Sequence, residues 1–292
     1  MSNAIKTTIL LAVMTAMIVS IGALLGGKFG ILAALSIAAV TNFVAYWFSD
    51  KIVLRAYGAK LVSPAEALAL HGIVQELSVA AGIPMPRLYL IDNETPNAFA
   101  TGRNPQNAAI AVTHGIIRIC NREELKGVLA HELSHIKNRD ILVSSIAATM
   151  AGAVMVISSL LRWDMLFGLG SHRDGDNHGL LSFLSFVVLA PIAATLIQLA
   201  ISRTREYLAD ESGALIANDP IGLAVALRKL AIANQRRPLD ASPSTAHMFI
   251  VNPLCGGTML RVFSTHPAIE DRIRRLEKMA VAGVGTRIRQ AR

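Results

Sequence analysis

The sequence predicts a mainly α-helical integral membrane protein. Four transmembrane helices are expected, with a polar domain containing a small β-sheet that the second pair of helices divides in two. Three observations carry this expectation. The 292 residues are 53% hydrophobic and only 16% charged, against roughly 25% charged in an average soluble domain. Four stretches, residues 7–27, 29–49, 141–161 and 179–202, contain no Asp, Glu, Lys or Arg, and each matches the ~20 residues that cross a hydrocarbon core. Basic residues gather beside those stretches, 28 Lys and Arg against 20 Asp and Glu for a formal net charge of +8. A disordered basic tail is excluded, because it would lack this apolar mass. The two cysteines, Cys120 and Cys255, are too few for a disulfide framework and fit a reducing compartment.

Residues 1–49 form the first hairpin. A cleaved signal peptide would carry an apolar core of about 7–15 residues and an A-x-A-like site. The run from Thr7 is longer, lacks that site and is followed at once by a second run. Residues 141–202 form the second hairpin, whose alternative reading is a pair of buried core helices. Pro191 would kink the fourth span without forbidding it. Lys51, Arg55 and Lys60 follow span two, Lys137 and Arg139 precede span three, and Arg203 and Arg205 follow span four. The two short loops hold only Lys28, Arg162 and Arg173 as basic residues. By the positive-inside rule, both termini and the polar segments 50–140 and 203–292 face the cytoplasm.

Within the first polar segment, Ser63-Pro64-Ala65-Glu66 is a capping box expected to open a helix that ends at Gly82. Short runs at 87–91, 98–101 and 108–113, separated by turn residues, suggest the sheet. Asn121, with Glu124 three residues on, caps a helix whose apolar face is Leu125, Val128, Leu129 and Leu133. In the second segment, helices are expected over 203–218 and 220–235, then a loop-rich region, then a basic helix.

The chemistry centres on His131-Glu132-Leu133-Ser134-His135. Residues four apart on a helix share a face, so the two imidazoles can grip one Zn²⁺ while Glu132 lies beside a water as general base. Such a site needs a third protein ligand. Glu206 and Asp210, four apart after the fourth stretch, offer a ligand and an acceptor for the second N–H of a ligand histidine. Glu211 is equally available by spacing, and the same acids also suit a surface helix neutralised by Arg203 and Arg205. His71, His114, His172, His178 and His247 lack spaced partners. Gly22 to Lys28 imitates a phosphate loop, but Phe29 stands where Ser or Thr must hold Mg²⁺, so no ATPase module is expected. Gly22 and Gly26 can ease packing of the first hairpin. The basic run with Arg272, Arg274, Arg275 and Lys278 has no aromatic platform. Solvation or anionic lipid explains it better than nucleic acid.

Together, His131-Glu132-x-x-His135, Ser202-Arg203-x-Arg205-Glu206-Tyr207-x-Ala209-Asp210, Asn97-Ala98-Phe99-Ala100-Thr101-Gly102 and Ser264-Thr265-His266-Pro267 resemble the HtpX family. These are bacterial heat-shock membrane zinc metalloproteases related to the CaaX prenyl endopeptidases. The resemblance covers nearly the whole chain. It implies a zincin-like domain with one Zn²⁺ held by His131, His135 and Glu206, and Glu132 as catalytic base. It strengthens Asp210 as the residue behind a ligand histidine. It also implies ATP-independent cleavage of misfolded membrane proteins and unfolded polypeptides at the bacterial inner membrane, in quality control and stress response. By itself the 98–101 run reads as ordinary sheet; the resemblance makes Asn97, Ala98, Phe99, Ala100 and Thr101 a strand that aligns an extended peptide. His266, by itself a helix-start residue, would steady an oxyanion or regulate the metal site. A prenyl-protein endopeptidase and a zinc-stabilised membrane chaperone are the rival expectations.

Overall fold

The computed structural model describes residues 3–167, 203–236, 248–251 and 267–283; the fourth expected span and His266 lie outside them. The helical stretch α1 (Asn3–Ala56) is the expected hairpin. Gly27 has φ +51°, in the left-handed region open to glycine, and the chain reverses there. Gly22 and Gly30 then press backbone to backbone with no room for a Cβ on either. Across the pair, Asn42 Nδ2 donates to Thr15 Oγ1 at 2.8 Å. The arms Asn3–Ser20 and Gly27–Ala56 are both long and apolar enough to cross a membrane.

The sheet has the order β1-β2-β4-β3. Its strands are β1 (Lys60–Leu61), β2 (Arg87–Ile91), β3 (Ala98–Gly102) and β4 (Ala108–Thr113). β2 runs parallel to β4, and β1 and β3 run antiparallel to their neighbours. The three longer strands fall where turn chemistry set them; two-residue, exposed β1 had no apolar pattern to announce it. All of β4 is buried, and its period of two divides it between two cores. Ala108, Ile110 and Val112 join the core under α2 (Leu68–Ala81) and α4 (Arg122–Lys137). Ala109 and Ala111 join Val53 and Leu54 of α1, Ala148 of α5 (Asp140–Phe167) and Phe249. The sheet is thus clamped between the polar-domain helices and the membrane hairpin.

One expected boundary shifts. Ser63 N–H does donate to Glu66 Oε2 at 2.7 Å, but the box closes a single turn, and α2 starts at Leu68. Val62 is still bonded to β2 through the Leu88 carbonyl, so the chain reorients through Ala67 (φ −140°, ψ 54°) before the helix begins. The helix stops where expected, with Gly82 at φ 69°. The short α3 (His114–Ile119) follows β4, capped by Thr113, and was not foreseen. α4 has the full capping box at Asn121 and Glu124. After the undescribed residues come α6 (Arg203–Ala217), α7 (Pro220–Arg236) and α8 (Ile269–Val281). The third expected span lies within α5, whose first turns pack Val143, Ile146, Ala147 and Met150 against Leu10, Met14 and Ala45 of the hairpin.

Candidate metal centre

His131, Glu132 and His135 lie on α4, with His131 and Glu132 buried to 1% and 3% exposure. Opposite them α6 presents Glu206 and Asp210, both buried. The two helices meet this closely because of Gly213, one turn beyond Asp210. A Cβ there would lie 2.8 Å from the His131 backbone nitrogen. Glu206, Asp210 and Gly213 therefore share one α6 face, and the glycine lets that face reach the imidazoles.

His131 Nε2 lies 3.2 Å from His135 Nε2 and 3.8 Å from Glu206 Oε2, and His135 Nε2 lies 3.6 Å from Glu206 Oε1. A tetrahedral zinc with bonds of ~2.0–2.1 Å spaces its ligand atoms about 3.3–3.4 Å apart. The donor set fits such an ion. So does the local charge: the carboxylates of Glu132, Asp140, Glu206 and Asp210 gather here beside the guanidiniums of Arg205 and Arg272.

Both histidines have their other ring nitrogen fixed. His131 Nδ1 is 3.0 Å from Asp210 Oδ1, and His135 Nδ1 is 3.3 Å from Asp140 Oδ2. Each contact orients the ring and leaves Nε2 free to ligate. Asp210 is held in turn by the fully buried Arg272 of α8, whose Nε and Nη2 donate to its two oxygens at 2.8 and 2.7 Å. Arg272 also donates to the Ile250 carbonyl at 2.9 Å. Asp140 accepts from Asn3 Nδ2 at 2.9 Å and from Arg205 Nη1 at 3.3 Å.

These surroundings set the protonation of each group. Burial pushes Glu132 up to about 8, with the Glu206 carboxylate adding to the shift and His135 opposing it. Burial lowers His131, against the pull of Asp210, and favours the neutral ring that a metal requires. Burial also works against a charged His135, but Asp140, Glu206 and Glu132 outweigh it and raise the ring to about 9. That surplus of negative field is what a dication would neutralise. Burial alone would raise Asp210; the Arg272 guanidinium overrides it and holds the carboxyl below the usual range.

β3 is the edge strand of the sheet, and its free side faces α4. Asn97, Phe99 and Thr101 sit opposite Thr113, Ala111 and Ala109 of β4. The intervening Ala100 turns its N–H outward and donates to Glu132 Oε2 at 2.8 Å. Thr101 Oγ1 pairs with Ser145 Oγ of α5 at 2.7 Å, fixing the strand's far end. Asn97 is fully buried, and its Oδ1 accepts from the Ala98 N–H at 3.0 Å.

The fold thus brings together His131, Glu132, His135, Glu206, Asp210 and the 97–101 strand. Glu211, an alternative by spacing, is exposed. Sequence reasoning missed three participants. Arg272 was grouped with its exposed neighbours Arg274 and Arg275, although the buried positions 272, 273 and 276 place it on the apolar face of α8. Asp140 and Asn3 carried no signal, since their meeting depends on how the hairpin packs against α5.

A helical pair of histidines, a glutamate from a second helix and an edge strand beside an intervening glutamate are the parts of a zincin-type metallopeptidase. Residues 64–280 match the model of peptidase family M48. Over 282 residues the chain is 57% identical to a protease HtpX homolog of Syntrophobacter fumaroxidans, covering 96% of this chain and all of that one. It is 56% identical to one from Desulfatibacillum aliphaticivorans (94% and 89% covered) and 53% identical to one from Pyrococcus furiosus (95% and 96%). The crystal structure of S. mikatae Ste24p is similar in fold, with TM-score 0.52 and 17% identity over 94% of this chain, which spans 65% of that longer one. The chain belongs to peptidase family M48, among its HtpX proteases, and is a membrane metallopeptidase.

Proposed function

We propose that this chain is an ATP-independent zinc endopeptidase of the cytoplasmic membrane, cleaving misfolded or damaged membrane proteins and unfolded polypeptides in quality control. Four spans with both termini and the catalytic domain in the cytoplasm fit its charge distribution. The observation that carries the reading is Glu132. It follows His131 on α4, where the donors of His131, His135 and Glu206 converge, and it accepts the N–H of edge residue Ala100.

His131, His135 and Glu206 would hold the metal, Asp210 and Asp140 orient the two rings, and Arg272 holds Asp210. Zinc bound there supplies Lewis acidity toward a scissile carbonyl and acidifies a water. Glu132 would take a proton from the attacking water on a carboxylate oxygen and deliver it to the amine nitrogen as the C–N bond breaks. An extended peptide would lie along the edge of β3, pairing with the outward carbonyls of Ala98 and Ala100, whose N–H groups are engaged by Asn97 and Glu132, while the hydrogen bonds between Asn97 and Thr113 keep the strand's start in place.

The test uses the full chain in detergent: metal analysis, then casein digestion with and without chelator, beside Glu132→Gln. Stoichiometric zinc in both proteins is expected, with chelator-sensitive digestion lost by ~10²-fold or more in the variant. Stoichiometric zinc with no digestion by the unaltered chain would favour a zinc-stabilised chaperone. Cleavage confined to a farnesylated peptide would favour the prenyl endopeptidase.

A further inference from the structure

The second arm of α1 exposes a run of large apolar side chains, among them Phe29, Leu32, Val40 and Phe43. It ends in the aromatic cluster Tyr46, Trp47 and Phe48, followed within two turns by Lys51 and Arg55. Aromatic residues and then basic ones mark the headgroup level of a bilayer. At that level a cavity of about 490 Å³ opens between α1, β2 and the turn joining β3 to β4.

Its walls combine two chemistries. Phe43, Trp47, Phe48 and Met85 form an apolar side continuous with the exposed face of α1. Lys51, Arg87 and Arg103 form a cationic side, and Asp50 is the only acid among the lining residues. That acid is already engaged, 3.1 Å from Arg87. Arg103 instead lies over the Trp47 ring, 4.4 Å from its centroid, and the Lys51 ammonium lies 5.3 Å from that of Phe48. Neither cation has a carboxylate partner among the described residues. Asn107 and Gln106 add amides at the rim. Two uncompensated cations resting on aromatic rings, beside an apolar helix face, match one kind of molecule: a phosphodiester carrying acyl chains.

We propose that this cavity binds the headgroup of an anionic phospholipid. Its phosphate sits between Arg103 and Lys51, and its chains run along the Phe43 face of α1. The site lies apart from the metal centre, but Arg103 directly follows Gly102, the last residue of β3. An occupied site therefore pins the end of the edge strand to the membrane surface.

Trp47 is itself the reporter. With Trp163→Phe removing the other tryptophan, the full chain is placed in phosphatidylcholine bilayers containing brominated phosphatidylglycerol or, at equal fraction, brominated phosphatidylcholine. Stronger quenching by the brominated phosphatidylglycerol is expected. A basic side chain near an anionic surface is worth about 1 kcal/mol, or roughly fivefold. Arg103→Gln should therefore lower the preference about fivefold, and Lys51→Gln with it should abolish the preference. Arg103→Lys should retain most of it, and bound zinc in each variant confirms that the chain is folded. Equal quenching by the two lipids in the unaltered pocket would overturn the proposal, as would a preference unchanged in the double variant. Loss of the preference on adding inorganic phosphate would make this a phosphate site and overturn the lipid assignment.

Discussion

Replacing Arg272 by Met removes a buried guanidinium while keeping most of the side chain's volume. The lost contacts are two charge-assisted hydrogen bonds to Asp210, at 2.7 and 2.8 Å, and one to the Ile250 carbonyl at 2.9 Å. Among the described residues Asp210, 3% exposed, is left with the His131 N–H. Breaking one side of a buried ion pair costs about 3–5 kcal/mol, and two charge-assisted bonds at ~1.5–3 kcal/mol each give an overlapping ~3–6 kcal/mol. Out of a typical stability of ~5–15 kcal/mol this is a large share, read as a Tm lower by roughly 6–20 °C. Asp210 is a depressed carboxyl, so its stabilisation is full above the ordinary carboxylate pKa and is lost as pH falls through the folded value. Without Arg272 burial is no longer overridden and that folded value rises toward or past the ordinary one, so Asp210's share of the acid destabilisation shrinks and the variant's stability depends less on acidic pH. Because Asp210 orients His131, zinc affinity should also fall by ~10–100-fold. The assays are thermal unfolding across acidic pH and zinc competition with a chromophoric chelator. Adding Asp210→Asn should recover part of the loss, since no carboxylate is then stranded. Arg274→Met, removing a 65% exposed side chain with only a 3.5 Å contact to Asp271, is the control, at ~0–1 kcal/mol. If Arg272→Met behaves like this control in Tm and zinc affinity, the buried relay through Asp210 is wrong.

Gly213→Ala places a methyl against the His131 backbone, so α6 must retreat from α4. A loss of ~1–3 kcal/mol in thermal stability is expected, with weaker zinc binding in the same chelator competition, because Glu206 travels with the helix. Burial pushes the Cys120 thiol up to about 12, with Glu124 adding to the shift. At pH 8.5 its thiolate fraction should be about a thousandfold below that of an ordinary cysteine. Peptide mapping after iodoacetamide treatment should find Cys120 unlabelled in the native chain and labelled after denaturation.

The parts legible in sequence were those whose physics is local. The capping box at Asn121 and Glu124, the i, i+4 spacing of His131 and His135, the glycine at 82 and the turn residues bounding β2, β3 and β4 each act within a few residues. Glu206 was visible as a candidate, but spacing alone left Glu211 beside it; the family resemblance favoured Glu206, and the packing of α6 on α4 at Gly213 brings it to the imidazoles. Arg272 shows the limit most clearly. Its composition is that of a solvated basic run, and only its place on the apolar face of α8 distinguishes it from Arg274 and Arg275. Asn3 and Asp140 are 137 residues apart, and no local pattern couples them.

That last contact changes what the first hairpin is for. Asn3 donates to the carboxylate that orients His135, Leu10 and Met14 pack on the first turns of α5, and Val53 and Leu54 form part of the core beneath β4. The hairpin therefore touches the metal centre, the helix that follows it and the sheet that faces it. Val53 and Leu54 lie beyond the expected span 29–49, where burial is worth about 3–6 kcal/mol together at ~1.5–3 kcal/mol each, and Leu10 and Met14 add close packing within the bilayer. A chain beginning at residue 64, where the peptidase family match starts, lacks all of this. Its Val143, Ile146, Ala147 and Met150, now at most 1% exposed, would lose their cover, and Asp140 would lose the Asn3 donor while keeping Arg205 and His135. Such a fragment is expected to aggregate or to hold zinc more weakly than the full chain. A soluble, monodisperse fragment with full-length zinc affinity would show that α1 only anchors the enzyme. On the contacts described, α1 is a wall of the catalytic domain as well as its tether to the bilayer.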